Sequence, residues 1–169
     1  MKQALQDMMN DQIKHELYSA YLYLSMSSYC ESINMPGAAH WMRLQAQEEV
    51  AHGIKFFDFI IDRGGQVTLQ AIDQPPTEFA SLLDIFEKAL AHEKHVTSLI
   101  NSIYDVAMRE QDYAAQALLQ WFVTEQVEEE KNADDVVQTL KMVEGQPAGL
   151  FIVDRELGTR VAAPESAEA

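Results

Sequence analysis

The sequence predicts an all-α fold: a four-helix bundle of up-down-down-up topology with one long crossover, plus a short C-terminal fifth helix. Three observations predict it. Apolar residues recur at steps of three and four through four long segments, which is helical periodicity. Only 7 Gly and 5 Pro occur in 169 residues, and they gather between those segments. An acidic residue also stands near the middle of each apolar stripe, where an uncompensated charge is costly to bury.

The first helix is expected from Gln3 to Ile33, with the stripe Met9, Ile13, Glu16, Ala20, Tyr23 and Ser27. Asn34-Met35-Pro36-Gly37 breaks it, and Pro36 can open the next helix because a first turn does not need its N–H. So short a link makes these two helices antiparallel neighbours. The second helix runs to Arg63, before Gly64-Gly65, with the stripe Ala38, Met42, Gln45, Glu49, His52, Phe56 and Phe59. Residues 64–77 are non-helical and can reach about 46–50 Å when extended. The second helix is about 40 Å long, so this stretch can return along the whole bundle and set the third helix parallel to the second. Thr77 and Ser81 are both candidate N-caps for that helix, which ends near Arg109 or Glu110. Its stripe is Leu82, Phe86, Ala89, Glu93, Val96, Ile100 and Ile103. Asp112 caps the fourth helix, which extends to about Glu144 with the stripe Leu118, Phe122, Glu125, Glu129, Ala133, Val136 and Leu140. After Gly145-Gln146-Pro147-Ala148-Gly149 comes a short amphipathic piece, Leu150–Leu157, too short to be stable undocked. One bundle domain is thus expected over 1–160, with a disordered acidic tail over 161–169.

Composition narrows the function classes. Twelve basic against 27 acidic residues give a net charge of -15, which disfavours nucleic-acid binding and suits either attraction of cations or simple solubility. The single cysteine, Cys30, rules out an intrachain disulfide and a cysteine-built metal site within one chain. The N-terminus lacks the apolar core of a signal peptide, and no apolar run approaches membrane-spanning length, so a cytoplasmic protein is expected.

The chemistry centres on Glu48-Glu49-Val50-Ala51-His52. Glu49 and His52 are three apart and share a helix face. Together with Glu16, Glu93 and Glu129 they make four carboxylates and one imidazole, a donor set for Fe(II), Mn(II) or Zn(II). Glu16, Glu49 and His52 can hold one ion and Glu49, Glu93 and Glu129 another, with Glu49 bridging; the formal charge of -4 then balances two divalent ions. Iron would bring redox chemistry with O2 or peroxide, and zinc only Lewis-acid chemistry. Tyr23 is either an electron or hydrogen donor beside the pair or a core tyrosine with a satisfied hydroxyl. Glu48, Glu125, Glu128 and Glu129 make either a third cation site or a solvated acidic face. His15, His40, His92 and His95 are expected at the surface or at helix edges, away from ligand positions. Two other readings stand beside this one: an oxidase that stores no mineral, and a structural bundle whose acids line a wet seam.

The residues resemble a known family. His15-Glu16-Leu17-Tyr18-Ser19-Ala20-Tyr21-Leu22-Tyr23, Glu48-Glu49-Val50-Ala51-His52, His92-Glu93, Leu119-Gln120-Trp121-Phe122 and Glu125-Gln126-Val127-Glu128-Glu129-Glu130-Lys131 look like the motifs of bacterial non-haem ferritins, over residues 1 to about 160. The resemblance implies a ferroxidase that oxidises Fe(II) with O2 or peroxide and stores ferric oxide mineral in a hollow shell of twenty-four subunits, a 24-mer. It implies Glu16, Glu49 and His52 around the first iron, Glu49, Glu93 and Glu129 around the second, and Gln126 and Tyr23 beside them. It also implies a third iron at Glu48, Glu125, Glu128 and Glu129, and a fifth helix docked near the four-fold axes. Bacterioferritins carry a second Glu-x-x-His motif and a haem-ligating Met after the bridging Glu. Gln126-Val127-Glu128-Glu129 and Val50 stand in those places, so no haem is expected.

Overall fold

The computed structural model describes residues 1–162. It contains α1 (Gln3–Ser32), α2 (Pro36–Asp62), α3 (Leu82–Glu110), α4 (Tyr113–Met142) and α5 (Pro147–Leu157), with no strand among the described residues. The expected tail over 161–169 falls outside the described residues from residue 163 onward.

Helix ends follow local chemistry. Pro36 occupies the first turn of α2. Of the two candidate caps for α3, Ser81 serves: its Oγ accepts from the Asp84 N–H at 3.1 Å, and Asp84 Oδ2 accepts from the Ala80 N–H at 2.9 Å. The first bond satisfies a donor the first helical turn would otherwise leave orphaned, and the second ties down the residue before the cap. Asp112 caps α4 through Ala115 N–H at 3.1 Å and grips Arg63 with both carboxylate oxygens, at 2.8 and 3.0 Å, tying the α3–α4 corner to the end of α2.

Residues 63–81 cross back along α1. Asn10 accepts from Thr68 N–H at 2.8 Å and donates to Gln66 O at 3.1 Å, Gln70 donates to Asp11 at 2.6 Å, Ser25 donates to Pro76 O, and the Tyr29 and Phe79 rings meet at 5.4 Å. The partners climb α1 from Asn10 to Tyr29 as the crossover proceeds, so it traverses the bundle lengthwise, as the extended reach of the segment predicts.

α5 begins one turn earlier than the sequence pattern indicates, because Pro147 is used as a helix opener rather than a breaker. It docks against the start of α2: Asp154 Oδ1 accepts from the Ala38 N–H at 2.9 Å, and Gly37 lies so close that a Cβ there would sit 1.7 Å from the Asp154 carbonyl oxygen. A carboxylate at a helix N-terminus is well placed against the helix dipole.

The core is divided. One apolar cluster contains Tyr23, Met26, Cys30, Trp41, Met42, Phe86 and Leu140, and the other Leu5, Met9, Ile13, Phe56, Ile60, Ile100, Leu119 and Phe122. Between them in sequence on every long helix lie buried polar residues: Glu16 on α1, Glu49 and His52 on α2, Glu93 on α3, Gln126 and Glu129 on α4. On α4 the buried face is Leu119, Phe122, Gln126, Glu129, Ala133 and Val137, one residue around from the expected Leu118, Glu125 and Val136. From Phe122 both a three-residue and a four-residue step remain on one helix face, and packing selects the latter. No helix among the described residues is long and apolar enough to cross a membrane.

Candidate metal centre

Four helices each bring a carboxylate to the polar layer, and the five predicted donors are at most 5% exposed. Donor atoms of Glu16, Glu49 and His52 lie within 4.8 Å of one another, and so do those of His52, Glu125 and Glu129. His52 Nδ1 is 3.5 Å from Glu49 Oε2. The imidazole packs edge-on against the adjoining rings of Trp121 and Phe122, with centroids at 5.4 and 5.9 Å, which restrains the plane of its nitrogens. Glu93 belongs to neither trio: it accepts from the Tyr23 hydroxyl on one oxygen and from Gln126 Nε2 at 3.3 Å on the other.

Two glutamines that sequence reasoning did not assign to the site complete the layer. Gln45 Nε2 donates to Glu129 Oε2 at 2.6 Å and to Glu49 Oε1 at 3.3 Å, joining α2 to α4. Gln12 Nε2 donates to Glu16 Oε1 at 2.9 Å. Each stands four residues before a centre carboxylate, the spacing that stacks side chains on one helix face, and that spacing was the available signal.

Burial pushes the carboxyl of Glu16 well above the usual range, helped by repulsion from Glu49. Burial, with Glu93 and Glu129 nearby, does the same to Glu49. Burial raises Glu93 as well, and raises Glu129 to about 8 with repulsion from Glu93 second. The Tyr23 hydroxyl, buried beside Glu93 and Glu49, is raised well above its ordinary value and stays protonated. Glu16 Oε2 is buried without a hydrogen-bond partner. Native proteins rarely leave such an atom orphaned without a reason, and an unfilled ligand position is one. Crowded acids that cannot ionise together, and one carboxylate oxygen with nothing to accept, fit a place for divalent cations.

Glu48, Glu125 and Glu128 line an open cleft between α2 and α4 that also reaches His52 and Glu129. Burial raises the Glu125 carboxyl, with Glu128 and Glu48 adding to it. Trp121 lies along the same cleft, with Lys55 Nζ 4.5 Å over its ring. His92 is more enclosed than a surface position: it is half-buried, contacts Ser19 Oγ at 2.7 Å, and burial next to His95 and His15 lowers it to about 4. His40 holds the Arg160 carbonyl at 2.9 Å, away from the polar layer.

Comparison with known proteins agrees with this geometry. The family model described as a ferritin-like domain matches residues 6–143. The chain is 42% identical over 160 residues to a bacterial non-heme ferritin of Bacteroides fragilis, covering 95% of this chain and 99% of that one. It is 37% identical to one of Staphylococcus saprophyticus, covering 95% and 96%. Among solved structures it is similar to an engineered closed form of the Archaeoglobus fulgidus ferritin, with a TM-score of 0.95 at 45% identity over 96% of this chain and 99% of that one. The family model spans most of the chain, the relatives are matched over nearly their whole length, and the chain belongs to the ferritin family.

Proposed function

We propose that the protein stores iron, and that its buried layer is a ferroxidase centre. Fe(II) is the substrate: two ions enter, each gives one electron to O2 or peroxide, and the ferric product passes to a mineral inside a hollow 24-subunit shell. The observation that carries this reading is the confluence of Glu16, Glu49, His52, Glu93 and Glu129, one acid from each long helix, at nearly complete burial with Glu16 Oε2 unpartnered.

In this reading Glu16, Glu49 and His52 hold one iron, and Glu49, Glu93 and Glu129 the other. His52 offers a nitrogen whose ring is already packed against Trp121 and Phe122. Glu49 stands between both sets of partners, which suits a bridge. Carboxyls held protonated by burial release those protons as cations arrive, so the site changes from neutral acids to charged ligands only when charge is there to meet them. Gln45 and Gln126 direct N–H groups at Glu129 and Glu93 and so position carboxylate oxygens. Tyr23 keeps its proton and, hydrogen-bonded to Glu93, is placed to donate hydrogen or an electron. Glu48, Glu125 and Glu128, with Glu129 shared, would receive a third iron on the open side of the centre.

The test adds Fe(II) in air to metal-free protein and follows ferric absorbance, with particle mass measured on the same sample. Wild-type protein should oxidise iron rapidly within a shell-sized particle, and Glu49→Ala should lose more than about tenfold in initial rate, since even the outer partners of a metal ligand are worth about 10–100-fold. Equal rates in the two proteins would sink the ferroxidase assignment. A particle of dimer mass would instead favour an oxidase without a mineral store.

A further inference from the structure

Arg160 follows α5, in a segment without regular structure, and is laid along one face of α2. Its Nη1 donates to Gln45 Oε1 at 2.9 Å and its Nη2 to Glu48 Oε2 at 2.6 Å. The guanidinium also covers the Trp41 ring at 4.5 Å, and the Arg160 carbonyl is held by His40 Nε2. The side chains of Arg160 and Glu48 are only 20% and 19% exposed, so the pair is largely shielded from solvent. Arg160 forms part of the wall of the acidic cleft that Glu48, Glu125, Glu128 and Glu129 line.

Two features make this more than a surface ion pair. The amide of Gln45 has one accepting and one donating end. The guanidinium takes the oxygen, so the nitrogen is left facing Glu129 and Glu49. Arg160 thereby reaches the buried centre through a single side chain. The guanidinium also makes only one hydrogen bond to Glu48, since its other arm is on Gln45. It cannot deprotonate, so it leaves Glu48 only by moving. A divalent ion bound among several carboxylates brings twice the charge and shorter contacts than one N–H to one oxygen.

We propose that Arg160 is a tethered counter-cation for this cleft, a positioning residue that neutralises Glu48 until a divalent ion does, and is displaced when one binds. Displacement lifts the guanidinium from Trp41 and releases the Gln45 amide, so occupancy of the outer cleft is relayed to Glu49 and Glu129. The inference rests on the reading of the cleft as a cation site.

The experiment titrates Zn(II), which is redox-inert, into the metal-free assembled protein by calorimetry. A parallel fluorescence titration uses a Trp121→Phe background, which leaves Trp41 as the sole tryptophan, since the chain has 2. Arg160→Ala should tighten the weakest class of Zn(II) sites by about three- to tenfold, the range for a partly shielded ion pair. Glu48→Gln should weaken that class and erase the effect of Arg160→Ala. Arg160→Lys, which keeps the charge and serves as a check should Arg160→Ala fail to assemble, should stay close to wild type. Trp41 emission should change in step with the weakest class and not with the first two ions. Unchanged or weaker binding in Arg160→Ala, or a Trp41 signal that is absent or complete before the weakest class fills, overturns the proposal. If only two ions bind per chain, this inference falls while the ferroxidase reading stands; if none binds, that reading falls with it.

Discussion

Glu129→Gln should stabilise the metal-free protein even though it removes a proposed ligand. The Glu129 carboxyl is held at about 8 in the fold, chiefly by burial, against an ordinary value of 4.5. At pH 7 it is therefore protonated when folded and ionised when unfolded, so folding takes up a proton. A fold that binds more protons than the unfolded chain loses stability as pH rises, here between about 4.5 and 8. At pH 7 the cost is two and a half pH units at ~1.4 kcal/mol each, or about 3 kcal/mol. Glutamine resembles the protonated acid, carries no such cost, and its carbonyl can still accept from Gln45. The expected gain is about 6–12 °C in Tm for a chain of this size. Thermal melts of chelator-treated protein followed by circular dichroism would measure it. The advantage should vanish near pH 4.5, and wild type should overtake the variant once saturating Zn(II) is added. A metal-free variant that melts at or below wild type at pH 7 would refute the claim that crowded acids strain the empty centre.

Three more outcomes are expected. Zn(II) loading at pH 6.5 should release about one to three protons per chain, because Glu16, Glu49 and Glu129 enter the reaction protonated; calorimetry in two buffers of different ionisation enthalpy reads this directly, and zero release would contradict it. Tyr23→Phe leaves one Glu93 oxygen without its donor and should cost about 1–3 kcal/mol in the metal-free state, with Zn(II) stoichiometry unchanged. Gly37→Ala drives a Cβ into the Asp154 carbonyl and should free α5: amide exchange should quicken over 147–157 while protection in the other helices holds, and a uniform loss of protection would count against a separately docked α5.

Much of the fold was legible because its signals are local. Apolar periodicity marks the four long helices, Pro36 and Asp112 sit where their chemistry belongs, and the length of the crossover stretch announces a full traverse. Glu49 and His52 were legible as a pair because three residues of helix place them side by side. The rest depends on information that no window of sequence holds. Pro147 looks like a breaker until α2 is there to receive the helix it opens. The α4 face turns on packing, since Glu125 and Gln126 both suit a step from Phe122. Gln12 and Gln45 look like ordinary polar residues until a buried carboxylate one turn away needs their N–H groups. Arg160 meets Glu48 only because the chain returns after 112 residues.

The division of the core into two apolar blocks has a mechanical consequence. Each block is a conventional hydrophobic seal, while the stratum joining them is bridged by glutamine amides and filled with acids that repel one another. Under the proposed function, cations filling that stratum would weld the halves together, and an empty subunit would be slack at its waist. On that reading, the stiffness of each subunit reports how full its own site is.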